Sequence, residues 1–277
     1  MIIELHSHTH YSRGKKVLYD GLDPPDAMVM AARGKGIGML AITDHNHVKG
    51  LKEAREAGRK AGVEIIPGEE VSTLSGHVLA LGISEAIPPD LSAEETIGII
   101  KSQGGVSIAP HPFDVKMDGI RGKAMLCDAV ETFNPFNFDR ISNFRARRFV
   151  SKHGLTATAG SDAHSKEMVG LGTIRADAQT ADEALKAIKK GSFVPISHYP
   201  PLSCIKDFAI RKLQKSYAHT QYYIDSHYGF PKSLMAAGML RLVRLAPGHI
   251  DRAFDVLAYT SFGVVVGYSI LLALLDI

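Results

Sequence analysis

The sequence predicts an α/β protein built mainly on a parallel sheet, followed by a helical extension. Short apolar runs rich in β-branched residues recur along the first part of the chain, and stretches with helical periodicity separate most of them. Strands that alternate with helices form right-handed βαβ units, so the sheet is either open or closed into a barrel. The composition changes after about residue 200, which predicts the extension.

Seven apolar runs predict buried strands, because each is short and shows little alternation between apolar and polar residues. These runs are residues 1–5, 37–43, 63–67, 77–82, 106–109, 128–133 and 155–160. The helices predicted between them cover residues 24–35, 47–61, 92–103, 140–153 and 181–190. Two of the helices begin with a capping-box pattern, one at Ser92 and the other at Thr180.

The composition favours one large domain in a reducing compartment. A chain of 277 residues with 45% hydrophobic residues is long enough to bury a core. Cys127 and Cys204 are far apart and lack a partner motif, which argues against a disulfide framework and a thiolate zinc site. Residues 1–200 carry balanced charge, so they give no electrostatic basis for sequence-independent binding to duplex DNA. We therefore expect a cytoplasmic domain.

Polar residues gather where the predicted strands end. His6 and His8 end the first run at alternate positions, which a strand projects to one side. His77 instead begins its run. Ligands collect at the carboxyl edge of parallel α/β sheets, and histidines with carboxylates favour a hydrolytic Mn, Fe or Zn cluster. The residues that follow later strands are Asp44, His45, Glu69, Glu70, His111, Glu131, Asn134, Asp162 and His164.

Seven motifs follow one another along the chain: LHSHTHYSRG, AITDHNHVKG, IPGEEVS, GHVLALG, APHPF, ETFNP and GSDAHS. In this order they resemble the successive motifs of the PHP (polymerase and histidinol phosphatase) family of metal-dependent phosphoesterases. The resemblance covers about residues 1–197. It implies a distorted (β/α)7 TIM-like barrel with two or three divalent metal ions, Mn, Zn or Fe, at its carboxyl end.

The resemblance also implies site residues. Glu70 matches a bridging carboxylate, and the adjacent Glu69 is the weaker match. We expect Asp44, Glu131 and Asn134 to lie beside the ligands and orient them. The full set of implied metal ligands is His6, His8, His45, Glu70, His77, His111, Asp162 and His164.

One departure from the family pattern affects a third metal site. Many members have Ser-Asp-Gly after the first histidine pair, whereas this chain has Arg13 between Ser12 and Gly14, and an arginine does not ligate a metal. Either Asp20 replaces the missing carboxylate or Arg13 binds a substrate phosphate; both readings stay open. Further candidates to bind phosphate lie in loops that follow the site motifs, namely Lys15, Lys16, Lys116, Arg121 and Lys123.

These features predict hydrolysis of a phosphoester by a metal-activated water, with His164 or His111 protonating the leaving group. The expected substrate is a small phosphorylated metabolite or nucleotide. A nucleic-acid end is less favoured because few aromatic residues lie near the motifs. Hydrolysis of a C–N bond stays open, since fold does not fix chemistry. The alternative to an enzyme is a non-catalytic metal-binding sensor or interaction domain tethered to a membrane.

The boundary near residue 200 divides a catalytic domain, 1–200, from a helical extension, 201–277. Residues 256–275 carry no charge and lie between Asp255 and Asp276. As a helix this run spans about 30 Å, the thickness of a bilayer's hydrocarbon core. Basic residues precede the run, which predicts a tail anchor with the catalytic domain in the cytoplasm. A helix buried in the protein or in an oligomer interface is the other reading.

Overall fold

The computed structural model describes residues 1–275, and within them one mixed sheet of nine strands nearly closes into a barrel. The strands follow the hydrogen-bonded order β7-β6-β5-β4-β3-β2-β1-β8-β9, and β7 also lies beside β8 and β9. This architecture confirms the TIM-like barrel predicted from the sequence. The strands are β1 Ile2–Glu4, β2 Met39–Ile42, β3 Glu64–Thr73, β4 Gly76–Leu81, β5 Val106–Ala109, β6 Ala129–Phe133, β7 Ala157–Ala159, β8 Gly172–Ala176 and β9 Phe193–Ser197.

Five helices accompany the barrel strands at the positions that the periodicity predicts. Ser92 caps α3 through a complete capping box, and the Thr180 side chain accepts from the backbone N–H of Glu183 at the start of α5. These caps satisfy N–H groups that the first helical turn leaves without partners. The helices are α1 Pro25–Gly34, α2 Leu51–Ala61, α3 Ala93–Ser102, α4 Ile141–His153 and α5 Ala181–Lys190.

Alternate residues of each strand face opposite sides of the barrel wall, as the two-residue period requires. On β2, Met39 and Ala41 belong to a buried cluster with residues of other strands and of α5. Leu40 and Ile42 belong to a second cluster that includes residues of α1 and α2. Since β2 is buried on both faces, it reads in the sequence as a continuous apolar run.

The strand β4 runs antiparallel to both β3 and β5, which departs from the parallel arrangement expected along the chain. The strand β3 extends to Thr73, so only two residues connect it to β4. A link this short permits only an antiparallel pair, because parallel strands need a long crossover. His77, at the start of β4, is therefore paired with Ser72 near the carboxyl end of β3.

The strands β8 and β9 are additions to the seven that the sequence predicts. Both pair antiparallel, β8 with β1 and β9 with β8. Arg175 interrupts the apolar pattern of β8, and Pro195 lies within β9. Proline is found at sheet edges because it lacks a donor, so its presence conceals this strand from pattern reading.

As far as residue 275, the extension consists of four further helices: α6 Leu202–Lys215, α7 Tyr217–His227, α8 Lys232–Val243 and α9 Asp251–Leu274. The helix α9 contacts α4 and α6, and only Phe254, Ser269 and Leu272 are buried along it. By length and composition it is apolar enough to cross a membrane. Asp276, expected to flank this run, lies outside the described residues.

Candidate metal centre

The carboxylate of Glu70, on β3, lies between two sets of histidines. Its Oε1 atom is 2.9 Å from Nδ1 of His77 and 3.0 Å from Nε2 of His111. Its Oε2 atom is 3.0 Å from Nε2 of His8 and 3.2 Å from Nε2 of His6. One buried carboxylate therefore faces two groups of nitrogen donors, an arrangement suited to bridging two metal ions.

A second carboxylate, that of Asp162, completes the group around the first histidine pair. Oδ1 of Asp162 lies 3.2 Å from Nε2 of His8 and 3.3 Å from Nε2 of His6. Together with Glu70, these residues offer four donor atoms that lie within 4.8 Å of one another. Nitrogen and carboxylate donors without sulfur match the preference of Mn, Fe and Zn in hydrolytic sites.

Asp20 joins a further group of donors on the other side of His8. The nitrogens of His8, His45 and His164 lie within 4.8 Å of one another. Oδ2 of Asp20 is 2.8 Å from Nε2 of His164 and 3.3 Å from Nε2 of His45. The structure thus brings Asp20, rather than Arg13, to the position where a third carboxylate would serve the centre.

Glu131 and Asn134 hold members of this centre in place. Nδ1 of His6 lies 2.9 Å from Oε1 of Glu131, which directs its Nε2 towards the other donors. The amide of Asn134 donates to Oε2 of Glu131 at 3.0 Å and to Oδ2 of Asp162 at 3.1 Å. Gly160 leaves room for this arrangement, because a Cβ there would lie 1.9 Å from Oε1 of Glu131.

Asp44 contacts the centre through Ser12 rather than through a histidine. Its Oδ1 accepts from Oγ of Ser12 and from the backbone N–H of Thr9, both at 2.7 Å. Oγ of Ser12 in turn lies 3.1 Å from Nδ1 of His8 and accepts from the backbone N–H of His45 at 3.2 Å. This chain of bonds fixes the ring of His8 and the backbone that carries His45.

The hydrogen bonds of His164 show why these donors fit a cation. Its Nδ1 donates to the backbone carbonyl of Asp162 at 2.7 Å, so the neutral ring carries its lone pair on Nε2, which faces Asp20. Burial lowers the pKa of His164 and favours that neutral ring. In addition, buried Oδ1 of Asp162 and Nδ1 of His77 form no hydrogen bond with the described residues. Lone pairs that converge in this way suit a metal ion held between them.

The charges of the centre point in the same direction. Burial opposes protonation of His8, but the facing carboxylates of Asp162 and Glu70 raise its pKa to about 9. Burial raises the pKa of Glu70, yet the facing rings, His45 and His77 foremost, hold it well below its usual range. A negative field strong enough to retain a proton on a buried imidazole also attracts a divalent cation.

The backbone is strained at two of these residues. His111 has a φ of 29° and Asp162 a φ of 47°, a backbone region that residues other than glycine rarely adopt. Such strain costs about 1–3 kcal/mol per residue and persists where the surroundings fix the conformation. At His111 the backbone N–H donates to Oε2 of Glu131 at 3.0 Å. The strain therefore accompanies the convergence of donors in this centre.

The donors open into a cavity of about 350 Å³. The loop after β5 contributes Lys116 to its wall, and the extension contributes Phe208, Lys212 and Val265. The Nζ atom of Lys212 bonds to Oδ1 of Asp20. Two cations thus accompany the carboxylates of the cavity, and one of them comes from the extension.

Of the basic residues expected to bind a substrate phosphate, Lys116 lines this cavity, whereas Arg13, Lys15 and Arg121 lie elsewhere. Arg13, Lys15 and Arg121 are absent from the described wall of the cavity. Arg13 is exposed, with its guanidinium carbon 4.1 Å from the ring centroid of Tyr19, and Lys15 is exposed as well. Arg121 bonds to Sδ of Met117. The structure therefore gives no support to phosphate binding by these three residues.

Comparison with known proteins agrees with the geometry. A family model described as PHP-associated matches residues 140–193. The protein MJ1587 of Methanocaldococcus jannaschii is 42% identical over 158 residues, which is 55% of this chain and 92% of that protein. The chain belongs to the PHP family of metal-dependent phosphoesterases.

Two further likenesses accompany this one. A phosphoribosyl 1,2-cyclic phosphate 1,2-diphosphodiesterase from Eggerthella lenta is 35% identical over 94 residues, 32% of this chain and 33% of that enzyme. A crystal structure from Bacteroides vulgatus, a two-domain protein containing a predicted PHP-like metal-dependent phosphoesterase, superposes with a TM-score of 0.58. The superposition covers 72% of this chain and 65% of that one at 18% identity, so it speaks to the fold alone.

The fold brings together all eight residues of the PHP motifs that are expected as metal ligands. Two further residues near the centre, Asp114 and Lys212, have no signal in the sequence. Asp114 lies 3.9 Å from Nδ1 of His111, and it accepts from the backbone N–H of Gly119 at 2.8 Å. Lys212 is more than forty residues beyond the last motif. A helix assigned to the extension gave no reason to place its lysine in a PHP centre.

Proposed function

We propose that this PHP protein hydrolyses a phosphoester of a small molecule. The observation that carries the proposal is the shared carboxylate of Glu70, whose two oxygens face separate histidine groups. Bound divalent ions would supply an activated water and stabilise charge on the departing oxygen. The donors that would hold them are His6, His8, Asp20, His45, Glu70, His77, His111, Asp162 and His164.

The surrounding residues prepare these donors. Glu131, Asn134 and the Asp44–Ser12 pair fix ring orientations, so the donors need little rearrangement to bind a cation. His111 and His164 each direct a ring nitrogen at a carboxylate of the centre, which favours ligation. Protonation of the leaving group by either ring stays a prediction from the sequence.

The volume and the charged residues of the cavity support a small, phosphorylated substrate. Lys116 and Lys212 are positioned to pair with phosphate oxygens, a contact for which an ammonium group is well suited. Phe208 and Val265 of the extension narrow the space above the centre. A covered cavity of about 350 Å³ favours a small phosphorylated molecule over duplex nucleic acid.

The experiment is phosphate release by the full chain, purified with Mn²⁺, from a panel of sugar phosphates, nucleotides, alkyl phosphates and oligonucleotides. We expect turnover of at least one small phosphoester, and its loss in His8→Ala, because His8 borders two donor groups. Bound metal in stoichiometric amount without release from any member of the panel would contradict the proposal and support the sensor reading.

We also propose that α8 and α9 rest on the cytoplasmic surface of a membrane. One face of α9 packs on the protein, while apolar residues such as Val264 are exposed. Basic residues that suit anionic lipid lie nearby, namely Lys232, Arg241, Arg244 and Arg252.

Flotation with anionic vesicles tests this surface. We expect the wild type to float and Val264→Glu to remain in solution, since a charge on the exposed face opposes insertion. Recovery of the wild type in solution would contradict membrane binding. Resistance to alkaline carbonate extraction would instead favour the membrane span that the sequence predicts.

A further inference from the structure

A second cavity, of about 550 Å³, lies among the four helices of the extension. Its walls are almost entirely apolar and include Ile205, Ile224, Leu240, Phe254 and Phe262. Cavities of roughly 300–1,000 Å³ with apolar and aromatic walls are typical of small-molecule sites. The hydrolysis proposed for the metal centre does not involve the residues of this cavity.

The second cavity adjoins the metal centre. Phe138 lines both cavities, and its ring centroid lies 6.0 Å from that of Phe262. On α6, Phe208 faces the metal centre while its neighbour Ala209 faces the second cavity. On α9, Phe262 lines the second cavity and Val265, one turn on, lines the first. The two cavities therefore adjoin at Phe138, whose side chain belongs to both walls.

The second cavity also reaches the exposed apolar surface of the extension. Met239 of α8 and Leu257 of α9 line it, and their exposed fractions are 43% and 44%. The second cavity therefore reaches exposed apolar side chains on one side and borders the metal centre, at Phe138, on the other.

We infer that the substrate is a phosphate ester of an alcohol with an apolar chain, whose phosphate binds the metal centre and whose chain occupies the second cavity. The inference rests on the proposed phosphoesterase function and specifies its substrate class. In the reaction, water adds to phosphorus and the bond from phosphorus to the alcohol oxygen breaks. The alcohol leaves with a proton from the water, and inorganic phosphate is the other product.

Chain-length dependence tests the inference. The full chain, in phosphatidylcholine nanodiscs with Mn²⁺, is assayed with butyl, hexyl and octyl phosphate below their micellar concentrations. We expect kcat/KM to rise about fourfold for each added methylene, the gain from burying one such group. Equal kcat/KM for the three esters would overturn the inference.

Two neighbouring alanines of α8 provide a matched pair of variants. Ala236 lines the second cavity, whereas Ala237 lines a different surface depression. Ala236→Trp is expected to abolish the chain-length gain, so that octyl phosphate is hydrolysed no faster than butyl phosphate. Ala237→Trp is expected to keep the gain, and the comparison of the two variants controls for partition of the longer esters into lipid. A gain that survives in Ala236→Trp would overturn the inference.

A measurement on the wild type covers the case in which Ala236→Trp does not fold. Octan-1-ol should inhibit hydrolysis of octyl phosphate competitively, and butan-1-ol should not at the same concentration. Equal inhibition by the two alcohols would contradict the assignment of the cavity. Hydrolysis of butyl phosphate without any chain-length gain would refute this inference alone, whereas no hydrolysis of any phosphoester would refute the proposed function.

Discussion

Residues 1–200 fold around a buried apolar core and a buried charged centre, whereas the helices α6 to α9 leave much of their apolar surface exposed. In the barrel, Leu79 and Ile108 are fully buried, and so is the charged Glu70 apart from 1% of its surface. In the extension, Leu234 and Leu274 are 67% and 78% exposed. Exposed apolar surface of this kind marks a contact with another apolar medium. The comparison indicates that the barrel encloses the candidate metal centre, whereas the extension exposes apolar surface beside it.

The largest expected effect tests whether the charged centre depends on one carboxylate. Glu70→Gln should lower kcat by about a thousandfold, the size typical of losing a group that stabilises charge at the reacting atoms. The matched control is Glu69→Gln, because Glu69 is also buried but, among residues 1–275, accepts a hydrogen bond only from the backbone N–H of Ile87. Phosphate release and Mn²⁺ titration check both variants. Equal loss in the two would contradict the assignment of Glu70.

A second prediction concerns Glu4, a buried carboxyl beneath the centre. Burial raises its pKa from 4.5 to about 7, although Ser161 and Gly170 donate to it. Between pH 4.5 and about pH 7, Glu4 has lost its proton in the unfolded chain but retains it in the folded protein. The raised pKa of Glu4 therefore adds about 3 kcal/mol to the free energy of unfolding. This contribution is complete below pH 4.5 and is lost as the pH rises to about 7.

Urea denaturation of the wild type and Glu4→Gln at pH 5 and pH 8 measures this contribution. We expect the wild type to lose about 2.5 kcal/mol more than the variant between the two pH values, because glutamine does not titrate. Identical pH dependence of the two proteins would show that Glu4 has an ordinary pKa in the barrel.

The smallest effect tests the division between the two regions. Lys212→Met should raise KM for a phosphate ester about tenfold with little change in kcat, as expected when one charge-assisted bond to substrate is lost. Lys215→Met is the control, since the Nζ atom of Lys215 bonds the carbonyl of Leu22. Equal KM values for both variants would mean that the extension contributes no substrate contact.

Much of the fold can be read from short segments. The apolar run 106–109 predicts β5, and the capping pattern at Ser92 predicts the start of α3, because burial and capping depend on neighbouring residues. The motif spacing likewise places His6 and His8 at the end of β1. These features are local, so the chain specifies them before it folds.

Other features depend on segments that meet only in the folded protein. The sequence alone does not explain why His77 begins its strand, since the reason is the antiparallel direction of β4. The sequence offers several loop residues for phosphate and does not single out Lys116 among them, whereas packing of α6 on the barrel brings in Lys212. Proximity of Asp20 to His164, across 144 positions, is equally nonlocal.

The sequence by itself determined the α/β character, most strands and helices, and the donors of the PHP motifs, because residue type and short-range period set these properties. Only the tertiary structure decided which cations border the cavity, that Asp20 completes a donor group, and that α9 packs on the protein along one face. Each of these outcomes depends on the path of the chain between distant segments. Packing of whole elements fixes that path, and no short pattern records it.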